Sequence, residues 1–353
     1  MTDRKGYFRQ WYVIMMAGLF LLGAMAAPTV ADTHEIEMSA LWPGTSMYTN
    51  AVFWAKQINE GELNIKAVAR EGRGPNVDMK TLISKPEKRS HLIFFGVEDS
   101  WWGAQQGFPG WKRFMGKYDI NNLRHLCLIG FTTDVMLGIN PKITSMADME
   151  GKSYVPASVD LNNAKAVALT EPFKLAGVNV KFEALGVKPM IESLRDGLID
   201  VIHGGIALVG KDQHQPSGYL NELFAVKKVY PVSYDLKYLL AMKEKTGHPG
   251  TIVKFKPQAI NEYQDYEVYG MGKATTWMCD VAMPDDVVTA ILQVYYDNLE
   301  KFGEISIGSK ILSKKTMAAL NVPEERLHPA AVKFYKKMGV PITSVIEAGL
   351  LTK

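Results

Sequence analysis

The sequence predicts an α/β protein of two lobes joined by a hinge around a central cleft. Three observations carry this. Strand and helix patterns alternate from residue 35 to 97, and a second alternating set begins at 152. Two long apolar stretches lie where the chain could cross between the sets.

The first set opens with Glu35–Ala40, whose alternation puts Ile36, Met38 and Ala40 on one face of a strand. Pro43-Gly44 breaks it, and a helix follows from Thr45 or Ser46 to Gly61, with Tyr48, Ala51, Val52, Ala55 and Ile58 on its apolar side. Residues 64–69 (strand), 75–84 (helix) and 91–97 (buried strand) complete the set. The second set reads 153–155, a helix over 161–176 closed by Gly177, a strand over 180–185, a helix over 188–196, and a strand over 198–203 ending at Gly204-Gly205. Pro172 predicts a kink or break in the helix that holds it. The crossings are "LRHLCLIGFTTDVMLGIN" and "YEVYGMGKATTWMCDVAM". They divide the chain into a first lobe over 32–138, a second over 139–268, and a return to the first over 269–353. In the return, Met283-Pro284-Asp285-Asp286 opens an amphipathic helix, and further helices are expected over 311–320 and 329–338.

At 353 residues and 47% hydrophobic, the chain can bury a large core. Its net charge of +3 is spread along the sequence, which argues against a nucleic-acid partner. Arg4, Lys5 and Arg9 precede the uncharged apolar run Trp11–Ala27, and Thr29-Val30-Ala31 follows. This is the pattern of a signal peptide over 1–31, with Ala24-Met25-Ala26 as the alternative cleavage site. No second run is long enough to span a bilayer, so an exported protein is expected. Cys127 and Cys279 sit in apolar runs and read as buried free thiols, with a disulfide as the alternative.

In open α/β sheets the ligand site lies beyond the carboxyl ends of the strands. Here that means Trp42–Tyr48, Glu71–Asn76, Glu98–Trp102, Ala157–Asn163 and His203–Ile206. Helix N-termini in these loops offer N–H donors, each worth ~0.3–1 kcal/mol to an exposed anion, so several must act together. Each group has a plainer role beside the functional one. Thr45 is a helix cap or a ligand contact, and Tyr48 a core residue or a ligand wall. Arg73, between Gly72 and Gly74, is a carboxylate clamp or a solvated loop residue. His203 is a satisfied core histidine or a ligand contact.

Catalytic patterns are missing. There is no HxxxH pair, Cys/His cluster, G-x-S-x-G elbow or GxxxxGK[ST] loop, and "GRGPN" lacks GxGxxG spacing. Glu98 and Asp99, adjacent on a strand, would point to opposite faces. No enzymatic activity, cofactor or metal is expected.

Four stretches, taken in order, resemble the TAXI family, the solute-binding proteins of tripartite ATP-independent periplasmic (TRAP) transporters. "PGTSMY" is similar to its first loop, and "MADMEGKSYVPAS" to its start of the second lobe. "SLRDGLIDVI" is similar to its Asp-Gly-x-Ile-Asp stretch, and "RLHPAAVKFYKKMG" to its C-terminal helix. The resemblance implies a type II periplasmic-binding fold, a monomer, and a periplasmic location. It further implies capture of a small organic anion or amino acid and delivery to a sodium-driven membrane permease. By position, the family's contacts map to Thr45, Met47 and Tyr48, to Gly74 and Asn76, to Glu98 and Asp99, and to Ser158, Asp160, Asn162 and Asn163. Pro75 stands where the family has a hydroxyl residue and removes a backbone donor. Asp160 and its neighbours replace a Gly-Ser-Gly loop, so an amino acid with its ammonium near Glu98, Asp99 or Asp160 stays open. An ATP-driven importer's binding protein, an exported enzyme and a ligand sensor are the alternatives.

Overall fold

The computed structural model describes residues 33–352 apart from 44, 108–110, 113–115, 158–160 and 162–163. The expected signal peptide lies outside the described residues. In chain order, the first set is β1 (His34–Ser39), α1 (Ser46–Glu60), β2 (Ile65–Arg70), α2 (Pro75–Ser84), β3 (Leu92–Val97) and α3 (Glu98–Gln105). The long strand β4 (Leu123–Gly138) leads to β5 (Ser153–Ala157), α4 (Ala164–Ala176), β6 (Lys181–Ala184), α5 (Val187–Arg195) and β7 (Val201–Gly210). Next come β8 (Gln213–Pro216), α6 (Asn221–Val226), β9 (Tyr230–Val232), α7 (Leu236–Thr246) and β10 (Thr251–Phe255). The second long strand, β11 (Val268–Asp280), precedes α8 (Asp285–Asp297), α9 (Leu299–Ile305) and α10 (Pro329–Met338).

One sheet runs through both sets in the order β2-β1-β3-β11-β4-β7-β5-β6. β1 is parallel to β2 and β3, and β5 is parallel to β6 and β7, as alternating strand and helix patterns require. The two crossings are the long strands. β11 lies antiparallel between β3 and β4, pairing with β4 from Met271↔Asp134 to Asp280↔Leu123. On its other edge β4 joins the second set, where Thr132–Gly138 pairs with β7, sharing Thr132–Asp134 with the β11 overlap, and Met136–Gly138 pairs with β9. Both sets therefore hang on one antiparallel ribbon.

The first set's core centres on Trp54, whose ring lies 5.7 Å from Trp277 and 4.9 Å from Tyr295, and whose Nε1 donates to the Ile291 carbonyl at 3.1 Å. The second set has its own cluster around Tyr154, Phe173, Tyr234 and Met242. Cys127 and Cys279 are buried free thiols, held above the ordinary thiol range by burial.

Close backbone approach fixes the ribbon. A Cβ on Gly130 would meet the Gly308 carbonyl oxygen at 2.2 Å, and that neighbour is main chain. Gly130→Ala is expected to lose ~1–3 kcal/mol of stability in urea unfolding, the range for overpacking. An unchanged midpoint would mean that the Gly308 turn moves aside freely.

The structure corrects four expectations. β7 does not end at Gly204-Gly205 but runs to Gly210. Those glycines admit neighbours, since a Cβ on Gly204 would meet Leu137 Cδ1 at 2.1 Å. Of the kink or break expected at Pro172, it is the break that is overturned, since Pro172 sits inside α4 without ending it. Glu98 and Asp99 open α3 rather than extending β3. Residues 311–320 form buried turns, not a helix. There the Thr316 hydroxyl donates to the Ile311 carbonyl (2.6 Å) and accepts from the Ser313 N–H (2.8 Å), bonds that compete with helical ones.

Candidate functional site

The loop after β1 ends in the N-cap of α1. Thr45 accepts from the Tyr48 N–H (3.3 Å) and donates its own proton to the Trp42 carbonyl (2.8 Å), so its hydroxyl already serves the helix. Met47 and Tyr48 are half-buried and pack against the main core. After β2, Gly74 caps α2 with φ of 101°, a conformation that favours glycine, and Pro75 takes the first helical position. Arg73 beside it is exposed and Asn76 half-buried. Asp78, one turn along, accepts from the Ser39 hydroxyl at 2.8 Å and lies 3.7 Å from Arg70. Burial pushes its carboxyl up to about 6, against both of those contacts.

Two acids stand at the start of α3. Glu98 is 1% exposed; its Oε1 accepts from the Ala274 N–H (2.8 Å) and from Asn321 Nδ2 (3.1 Å), while its Oε2 is buried without a hydrogen bond. Desolvation raises its pKa to about 8 despite those donors, so the group is an uncharged acid at neutral pH. Asp99 lies 3.6 Å from Lys273 on β11.

Lys273 leads to a charged centre where the two long strands meet. Its Nζ lies 2.5 Å from Asp134 Oδ2 on β4, and Lys165 Nζ, in the first turn of α4, lies 3.0 Å from Asp134 Oδ1. The side chains of Asp134 and Asp99 are each 6% exposed, and that of Lys273 is 14% exposed. Burial alone would raise the Asp134 pKa, but Lys165 and Lys273 together hold it well below the carboxylate range. His203 stands within β7, its Nδ1 3.2 Å from the Val155 carbonyl oxygen. Burial, with Lys165 nearby, lowers its pKa to about 3, so it is a neutral core histidine.

The sequence-expected residues thus separate. Glu98, Asp99 and His203 belong to the region around Asp134, while Thr45, Met47, Tyr48, Arg73, Gly74 and Asn76 belong to the first two loops. Ser158, Asp160, Asn162 and Asn163 lie outside the described residues. Asp134, Lys165 and Lys273 were missed by sequence reasoning. For Asp134 and Lys273 the signal was a charge inside an apolar strand run, "FTTDVML" and "YGMGKATTW", which calls for a buried partner; Lys165, on a helix, carried none. α3 packs beside α4, and Trp102 meets His248 edge-on at 4.8 Å, so the two sets also touch away from the ribbon. A groove of about 490 Å³ lies between Trp42 and the helices α5 and α6, lined by Val187, Ile191, Leu223 and Val226. Among the described residues, no group of three or more His, Cys, Asp or Glu could hold a metal, and no helix is long and apolar enough to cross a membrane.

Solved structures share this architecture. One described as a periplasmic transporter aligns over 89% of this chain and 95% of its own, with TM-score 0.50 and 15% identity. R. palustris Rpa4515, solved with adipate, aligns over 92% of this chain and 99% of its own, also with TM-score 0.50 and 15% identity. Both likenesses are of fold, the two-lobed periplasmic-binding type with its hinge and cleft. No curated protein matches the sequence. The sequence pattern of the NMT1-like family matches residues 53–339, most of the chain, and the protein therefore belongs to the NMT1-like family.

Proposed function

We propose that the protein is an extracytoplasmic solute-binding protein without catalysis of its own. It captures a small organic solute, a carboxylate or amino acid, in the cleft between its lobes. The single observation that carries the reading is the meeting of Asp99, Lys273, Asp134 and Lys165 at the antiparallel pair of long strands, β4 and β11. Those residues come from both strand sets, so bending the ribbon would open or close a polar centre. The lobes are taken as 32–138 with 269–353, and 139–268, after removal of a signal peptide over 1–31. The loops of Thr45 to Tyr48 and Arg73 to Asn76 are taken as one wall of the cleft. Delivery to a sodium-driven TRAP-type permease, with a TAXI-like partner set, is supported by the four resembling stretches. An ATP-driven importer is the alternative.

Mass spectrometry of solute retained on gently purified protein is expected to find a stoichiometric small molecule. Adding it back to stripped protein should compact the chain in X-ray scattering. Retention of nothing, together with unchanged dimensions across a panel of carboxylates and amino acids, would overturn the reading. If the solute carries a carboxylate, Arg73→Ala should weaken binding at least ~threefold, ~0.7 kcal/mol, and Arg73→Lys should not restore it. A smaller change by calorimetry would leave Arg73 a solvated loop residue. The effect is set low because the guanidinium is exposed.

A further inference from the structure

Asp134 is held as a bound anion would be held. One carboxylate oxygen faces the Lys165 ammonium at 3.0 Å, and the other faces Lys273 at 2.5 Å. The two cations come from different elements, the first turn of α4 and the middle of β11, and converge on one carboxylate supplied by β4. Lys273 has a second carboxylate, Asp99, at 3.6 Å. Two ammonium groups thus meet two carboxylates, and the centre, buried except at Lys165, whose side chain is 27% exposed, is neutral without any solute.

An anion brought into this centre would add an uncompensated charge or would have to displace Asp134, and a buried unpaired charge is strongly unfavourable. The vacant capacity is of the other kind. Glu98, beside Asp99, keeps a buried carboxyl oxygen without a hydrogen bond. With Oε1 already accepting two N–H bonds, the acid's proton sits on Oε2 and can be donated to a neutral acceptor, and an arriving cation would be matched by ionisation of that acid.

We propose that Asp134 occupies from within the anion seat formed by Lys165 and Lys273, so that the captured solute presents a neutral or cationic group at the hinge. This rests on the solute-binding reading above and narrows it. A carboxylate on the solute is then held at the outer loops, and its opposite end faces the ribbon.

The test uses acetate, which reproduces the aspartate side chain. Removing the internal carboxylate in Asp134→Ala should open the seat. Calorimetry should then show acetate binding at least ~tenfold tighter than to the wild-type protein, and Asp134→Ala with Lys165→Met should lose that gain. A folded Asp134→Ala protein without the gain would overturn the proposal, as would wild-type protein that binds acetate equally well. Should the alanine variant fold only in acetate, the seat is demonstrated directly. Should it not fold at all, the wild type decides. Saturable succinate binding that Lys165→Met abolishes would overturn the proposal, and its absence would sustain it. Acetate binding to the variants does not depend on the native solute, so this result and solute capture stand or fall separately.

Discussion

Replacing Lys273 by methionine is expected to destabilise the folded protein by ~3–5 kcal/mol, the range for breaking a buried ion pair from one side. Lys273 is the cation shared by two carboxylates, 2.5 Å from Asp134 and 3.6 Å from Asp99. Methionine keeps much of the side-chain volume, so the loss is electrostatic rather than a cavity. Asp134 would retain Lys165, but Asp99 would be left as a buried carboxylate without its cation. Adding Asp134→Asn to Lys273→Met should return part of the loss, since two carboxylates then no longer compete for one ammonium. Urea unfolding of the single and double variants measures both. A single variant within ~0.5 kcal/mol of wild type would show that water already solvates the centre.

The second large effect concerns pH. Unfolded, Glu98 ionises near the ordinary 4.5; folded, it holds its proton to about 8. Between those values the native state binds a proton that the unfolded state has released, so stability falls as pH rises through the window. The contribution is fully present below 4.5 and lost above about 8. Glu98→Gln cannot titrate, and its amide oxygen can still accept from Ala274 and Asn321. Its stability between about pH 5 and about pH 9 should therefore fall less than the wild type's, by ~3–5 kcal/mol. Parallel pH profiles for the two proteins would mean that water reaches the buried carboxyl oxygen.

Local patterns made much of the fold legible. The period-two run before Pro43, the Thr45 cap, the Pro75 helix start and the 329–338 helix needed only neighbouring residues, and they stand as α1, α2 and α10 with their strands. The errors arose where distant contacts outweighed local preference. Gly204-Gly205 looked like a strand end because the pressing neighbours, Leu137 and Thr132, are far away in sequence. The turn at 311–320 looked helical because its apolar spacing says nothing of the two bonds that the Thr316 hydroxyl makes across it. The site shows the same division. Glu98 and Asp99 were found because they follow a strand, whereas the pairing of Asp134 with Lys273 spans 139 residues and has no spacing to read.

The place of β11 in the sheet also governs the order in which the protein can assemble. β3 and β4 are successive strands, yet neither pairs with the other; the strip between them is residues 268–280. Until that late segment has been synthesised, both present unsatisfied main-chain edges, and the nascent N-terminal portion cannot complete its own layer. Closure then requires loops of well over a hundred residues, which makes this step slow compared with the local βα units. The incomplete intermediate is the species most exposed to edge-to-edge association, and a chaperone that shields β3 and β4 would act at that stage.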